Sequence, residues 1–242
     1  MLHLAYMTLI DIVNRVSSLI PVVDRTTNLM SNPKYLPGVP TMFEADFVKE
    51  LVRIWCQSYP GDFLSIPSIS HSYPSAPRNK CDLVFSSNGY SSSVFQHEWA
   101  IEFKRIQLVG DNGKNNDFGI PKLISPYLKD RSIFHDVHRL HYSSFTKSKG
   151  VILYAFDYDF QIINARRSLF PSEKATLDNL YNVCTTVDAI NGTYNIIPLV
   201  QISDFYLKHK GHLLSPSYTS TFQNANRHPT GGEGRVVGWE VS

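Results

Sequence analysis

The 242-residue chain contains no apolar run long enough to span a bilayer, only three cysteines, and 23 Lys and Arg nearly balanced by 21 Asp and Glu. The first absence excludes a transmembrane helix: residues 1 to 23 are apolar in places, but Asp11 and Arg15 interrupt them and no basic segment precedes them. The second excludes a disulfide framework or a zinc knuckle, because Cys56, Cys81 and Cys184 are too few and too scattered, so a reducing compartment, the cytoplasm, is expected. With a net charge of only +2, any charge that matters must be local. Nucleotide and hydrolase signatures are also missing. There is no HExxH, GxSxG or GxGxxG, and the Gly110 to Lys114 segment has the wrong glycine spacing for a P-loop, with Asn115 where a Ser or Thr would hold Mg²⁺. Ser144 to Lys147 spells SxxK without the companion elements of a serine acylase.

What is present suffices for one substantial core: 43% of residues are hydrophobic. The expected organisation is a single domain over residues 1–242, with an N-terminal helical segment at about 1–32 and a C-terminal extension at about 157–242. Leu9, Ile12, Val13, Val16, Leu19 and Ile20 predict an amphipathic helix ending before Pro21. Residues 32–40, with Pro33, Pro37, Gly38 and Pro40, predict an extended connector. The Pro- and Ser-rich residues 60–77 predict a second loop along the same core.

The most informative stretch is 80–104. Cys81, Leu83 and Phe85 alternate with Asp82 and Val84, and Trp99, Ile101 and Phe103 alternate with Glu98, Ala100, Glu102 and Lys104. A period of two in both runs predicts paired antiparallel strands, with the bend at or near Asn88-Gly89 in a Ser-rich turn. Glu102 and Lys104 then share one face and Ile101 and Phe103 the other. An Asp on one strand followed by Glu-x-Lys on the next resembles the PD-(D/E)xK nuclease superfamily, which includes many restriction endonucleases. Cys81 stands where the motif has Pro. The resemblance implies that Asp82 and Glu102 bind a divalent cation, Mg²⁺ or Mn²⁺, and that Lys104 positions or helps to deprotonate the attacking water. A pair of carboxylates suits Mg²⁺, which keeps several of its own waters and stabilises charge on a phosphoryl group. The competing reading is a cross-strand Glu and Lys pair on an exposed face.

Upstream, Thr41 to Trp55 has helical periodicity after Pro40, and Glu44 is the one acid on the face shared by Phe47, Val48, Leu51 and Trp55. The superfamily commonly places a Glu from such a helix at the metal site, so the resemblance assigns Glu44 there, with Glu50, on the polar face, a poorer candidate. A capping box from Thr41 to Glu44 competes with that role.

Downstream, residues 104–149 carry nine Lys and Arg against four Asp. Such a local excess of positive charge fits a polyanion surface, with Arg105, Lys114, Arg131 and Arg139 as candidate nucleic-acid contacts. A merely solvated basic face is the alternative. Ile133, Phe134, Val137 and Leu140 predict a helix over 129–142 whose Asp130, Arg131, Asp136 and Arg139 could support the site or touch phosphates. Its His135, His138 and His141 drift around the helix at steps of three and are expected to face solvent. Gly150 to Phe156 predicts a strand buried on both faces. Beyond it the expectations are a helix over Ser172 to Tyr181, an edge strand over Ile196 to Ile202, a polar loop over 222–235 whose Arg227, His228 and Arg235 could contact DNA, and a closing strand over Val236 to Val241.

Together these predict an α/β fold, a central mixed sheet with flanking helices and a restriction endonuclease-like core. The activity that the resemblance implies is Mg²⁺-dependent hydrolysis of DNA phosphodiester bonds, of restriction or defence type, with DNA as partner, no membrane association and a possible homodimer supplying the second active site. The alternative is a non-catalytic protein on the same scaffold that binds nucleic acid or a partner protein.

Overall fold

The computed structural model describes residues 6–29, 37–106, 132–158, 160–169, 196–225 and 232–242, with Ala175, Asp178 and Asn182 at isolated positions. The predicted helix over Ser172 to Tyr181 thus falls largely outside the described residues. So do Lys114, Arg131, Arg227 and His228.

A six-stranded mixed sheet with helices on both faces forms the fold. In chain order the main elements are α1 (Leu9–Thr26), α2 (Glu44–Ser58), β1 (Ser68–Tyr73), β2 (Ala76–Phe85), β3 (His97–Arg105), α3 (Ile133–His141), β4 (Thr146–Phe156), α4 (Phe160–Leu169), α5 (Ile197–His209), β5 (Tyr218–Phe222) and β6 (Gly234–Glu240). The strand order is β1-β2-β3-β4-β6-β5, with β3 and β4 parallel and every other pair antiparallel. The parallel pair requires a crossover, which contains α3. No described helix is long and apolar enough to cross a membrane.

Strand alternation sorts the core into two layers. Leu83, Phe85, Trp99, Ile101, Phe103, Ile152, Tyr154 and Phe156 pack under α1 and α2, whereas Val84, Ala100, Val151, Leu153, Ala155, Val237 and Trp239 pack under α3 and α5. β4 is buried on both sides from Gly150 to Phe156, as its continuous apolar run predicts. Helix α1 lies so close to β6 that a Cβ on Gly238 would stand 2.6 Å from Val13 Cγ2, so a glycine is needed there.

Several sequence expectations are corrected. Helix α1 does not end before Pro21 but runs on to Thr26. Pro21 forfeits one backbone bond, yet Val23 and Asp24 beyond it are fully buried, and the Asp24 carboxylate accepts the Val39 amide at 3.0 Å. The predicted loop over 60–77 contains β1 and the start of β2. The 196–202 segment is not an edge strand: it opens α5, with Pro198 in the first turn, where its missing N–H costs nothing, and Val200, Ser203 and Leu207 on the buried face. The supposed C-terminal extension supplies two of the six strands, β5 and β6, the latter being the predicted closing strand.

Candidate active site at the parting of two strands

Strands β2 and β3 pair only through Leu83↔Ile101, Val84↔Ala100 and Phe85↔Trp99. Beyond Leu83 they separate. The ladder is interrupted at Asp82 on both sides, since the residue facing it on β1, Ser70, has φ 53° and the neighbouring rungs are Ile69↔Leu83 and His71↔Cys81. The Asp82 side chain fills the vacated backbone position: its Oδ2 accepts the Phe103 amide at 2.8 Å. Asp82 is thereby fixed beside the Glu102 to Lys104 segment of β3.

On β3, alternation sends Glu102 and Lys104 to the α3 side, away from Ile101 and Phe103, as predicted. Both are buried, at 2% and 7% exposure. The Glu102 Oε1 accepts the Tyr73 hydroxyl at 2.6 Å and lies 3.5 Å from an Arg139 guanidinium nitrogen. Lys104 Nζ stands 3.1 Å from Glu44 Oε1 and 3.1 Å from Asp136 Oδ2, so one ammonium joins α2 to α3. Arg139 also bonds Asp136 on its own helix.

The Glu44 carboxylate lies against Lys104 and the Arg105 amide, and the capping box from Thr41 is not formed. Helix α2 begins at Glu44 with Phe43 as its cap residue and no side-chain cap, while Thr41 sits in a 3₁₀ turn with its hydroxyl on the Gly38 carbonyl. The second Glu44 oxygen accepts the Arg105 amide at 2.6 Å, so both carboxylate oxygens are spent on the end of β3. Glu50 pairs with Arg53 on the outer side of α2.

The electrostatics follow from this crowding. Burial pushes the Asp82 carboxyl up to about 6; Glu44 adds to the rise, and the Phe103 amide and Lys104 oppose it. Glu102 is raised well above the ordinary range by burial and by Asp136 and Asp82. Asp136 is raised by burial, against the pull of Lys104 and Arg139. Burial alone would lower Lys104, but Asp136, Glu44 and Asp82 more than reverse it, so its ammonium form is strongly favoured.

Asp82, Glu102, Lys104 and Glu44 are therefore brought together, while the candidate nucleic-acid contacts divide. Arg139 faces inward onto Glu102 and Asp136. Arg105 points its guanidinium at the carbonyls of Val39, Pro40 and Met42, at 3.2, 2.7 and 2.8 Å, and so braces the turn before α2. Arg235 pairs with Asp157 at 3.0 Å. Asp136 is a full member of the cluster, though helical periodicity marked it only as one of four possible supports. Tyr73 was missed entirely, because its strand was read as loop. Elsewhere, His138 is exposed as expected and His135 and His141 are half-buried, and the rings of His138 and His141 lie 5.9 and 5.6 Å from that of buried His212.

Among the described residues no three His, Cys, Asp or Glu side chains form a metal cage. A hard cation held by two carboxylates and several waters does not require one. No family model, curated protein or solved structure matches the chain.

Proposed function

We propose that this chain is a divalent-metal-dependent endonuclease with a restriction endonuclease-like core, hydrolysing DNA phosphodiester bonds in a restriction or defence role. The observation that carries the reading is the cluster at the parting of β2 and β3, where Asp82, Glu102, Glu44 and Asp136 surround Lys104 and Arg139. Four acids against two bases leave negative charge that a dication would neutralise. Burial first, and at Asp82 and Glu102 the neighbouring acids as well, raise these carboxyl groups. Asp82 Oδ1 and Glu102 Oε2 receive no hydrogen bond from any other described residue, so each acid keeps an oxygen for a ligand. This donor set fits Mg²⁺ or Mn²⁺, with Asp82 and Glu102 as the protein ligands and water completing the shell.

The bound metal would stabilise negative charge on the phosphoryl group under attack. The rest falls to the chain's own groups. Lys104, clamped between Glu44 and Asp136, remains an ammonium: it offers charge and hydrogen-bond donors to a water or phosphate oxygen and does not take up the proton. Glu44 holds Lys104 and the Arg105 amide in place, and Tyr73 and Arg139 set the orientation of Glu102. Because one chain offers one such cluster among its described residues, cleavage of both strands of a duplex calls for a homodimer.

Two measurements test the reading. Plasmid and single-stranded DNA and RNA incubated with Mg²⁺ or Mn²⁺ should be cut by the native chain and not by Lys104→Ala, and Mg²⁺ should raise the melting temperature of the native chain more than that of Asp82→Asn. Equal inertness of both chains on all substrates, with no metal-dependent thermal shift, would instead favour a non-catalytic binding protein.

A further inference from the structure

The arm that carries Asp82 shows an unpaired positive face. Because β2 leaves β3 at Leu83, its first half, Ala76 to Asp82, pairs with β1 alone, through His71↔Cys81, Ser72↔Lys80 and Tyr73↔Ala76. The result is a two-stranded arm past the parting point. Its turn end is anchored to the site, since the Tyr73 hydroxyl reaches back to Glu102 at 2.6 Å. Its inner side is fixed by the His71 ring stacked 5.6 Å from Phe145 and by Tyr73 edge-on to the same ring at 5.5 Å. The arm is therefore held in a defined place beside the carboxylate cluster.

Its chemistry is one-sided. No acidic residue occurs between Asp62 and Asp82, while Arg78 and Lys80 are exposed on the arm and five serines line the same segment (65, 68, 70, 72 and 75). Arg78 and Lys80 lie two apart on a strand and so point to the same side. Lys80 bonds only the Ser72 hydroxyl, and Arg78 makes no ion pair with any described residue. Two other exposed bases of the described chain, Arg53 and Lys208, pair with an acid on their own helix. Arg78 and Lys80 do not. Free guanidinium and ammonium groups with flanking hydroxyls, next to a phosphodiester-cleaving site, match the backbone of a nucleic acid.

We infer that the β1–β2 arm is a nucleic-acid contact in which Arg78 and Lys80 each engage a backbone phosphate of the strand lying across the site. The inference rests on the nuclease reading for its partner, but its test does not depend on cleavage. Binding of a fluorescein-labelled DNA duplex is followed by anisotropy in Ca²⁺, across a salt series. Each phosphate contact contributes about 0.9 to the slope of log K against log salt, so Arg78→Ala/Lys80→Ala should flatten the slope by about 2 and weaken binding at low salt about tenfold or more. Arg78→Lys/Lys80→Arg, which keeps both charges, should retain the native slope. A charge-matched Lys49→Ala/Lys210→Ala variant on other elements should bind like the native chain. Circular dichroism melts establish that each variant is folded. Coincident slopes for native chain and arm variant, or no duplex binding by the native chain at all, overturn the arm whether or not DNA is cut. Failure of the nuclease reading would appear differently, as duplex binding with the native slope and no Mg²⁺-dependent cleavage.

Discussion

Glu98 and Glu102 sit four residues apart on the same face of β3, are equally buried at 2% exposure, and are placed in opposite circumstances by what faces them. The Glu98 carboxylate meets the β2–β3 turn, where it accepts the Ser87 amide at 2.9 Å and the Ser87 hydroxyl; the Ser86 hydroxyl in turn accepts the Glu98 amide. It is a structural acid whose partners are neutral donors. The Glu102 carboxylate meets Arg139, Asp136, Asp82 and Tyr73 at the place where the sheet opens. Identical residue type, strand, face and burial thus give one acid that fastens a turn and one that sits in a concentrated charge cluster. The difference lies in the partners that the crossover helix and the separated strand bring, and it predicts opposite responses to mutation.

The largest expected contrast is in cleavage. Glu102→Gln or Lys104→Ala should lower Mg²⁺-dependent DNA hydrolysis by about 10³-fold or more, because under the proposed function Glu102 would hold the metal and Lys104 would offer charge to the phosphoryl oxygens. Glu98→Ala should change cleavage by no more than about threefold while lowering unfolding stability by roughly 1–3 kcal/mol in denaturant titrations, since it leaves the buried Ser87 amide unpaired. Equal loss of activity in Glu98→Ala and Glu102→Gln would erase the distinction.

An intermediate effect is expected at Asp136, which acts through Lys104 and Arg139. Asp136→Asn should slow cleavage by about 10–100-fold and lower the melting temperature, as two buried cations lose an anionic neighbour. Asp136→Glu should recover part of both, which a purely steric role for the side chain would not produce.

The smallest effect sharpens the contrast from outside the site. His212 is pushed below its ordinary histidine pKa by burial and by His141 and His138. The unfolded chain then binds more protons than the folded one as the pH falls through the usual histidine range, so His212 takes stability away as the solution is acidified. Melting temperature measured from about pH 7 down to about pH 5 should fall less steeply in His212→Asn than in the native chain. Coincident profiles would mean that the ring cluster of His138, His141 and His212 carries no such linkage.

The strands of the site were legible because alternation is local: Trp99, Ile101 and Phe103 against Glu102 and Lys104 need only the pleat to be sorted onto two faces. Glu44 was legible as an acid on an apolar helix face, and its choice of Arg105 and Lys104 over a cap became clear only with α2 seen to start at Glu44 itself. β1 was not legible, because serines and prolines over 60–77 carry turn chemistry and its pairing with β2 is a non-local contact. The Ile196 to Ile202 run was misread because its branched apolar residues suit a strand, while Pro198 suits a helix start equally well and the packing of Val200 and Leu207 decides.

By itself the sequence determined which segments alternate, which strand is buried on both faces, and that Asp82 stands on one strand and Glu102 and Lys104 on the next. Those are consequences of side-chain period, which is written along the chain. Only the tertiary structure decided that β2 parts from β3 at Asp82, that Asp136 and Arg139 close over Glu102 and Lys104, and that the last strands complete the sheet. Each of those depends on contacts between residues far apart in sequence, and no local pattern encodes the partner.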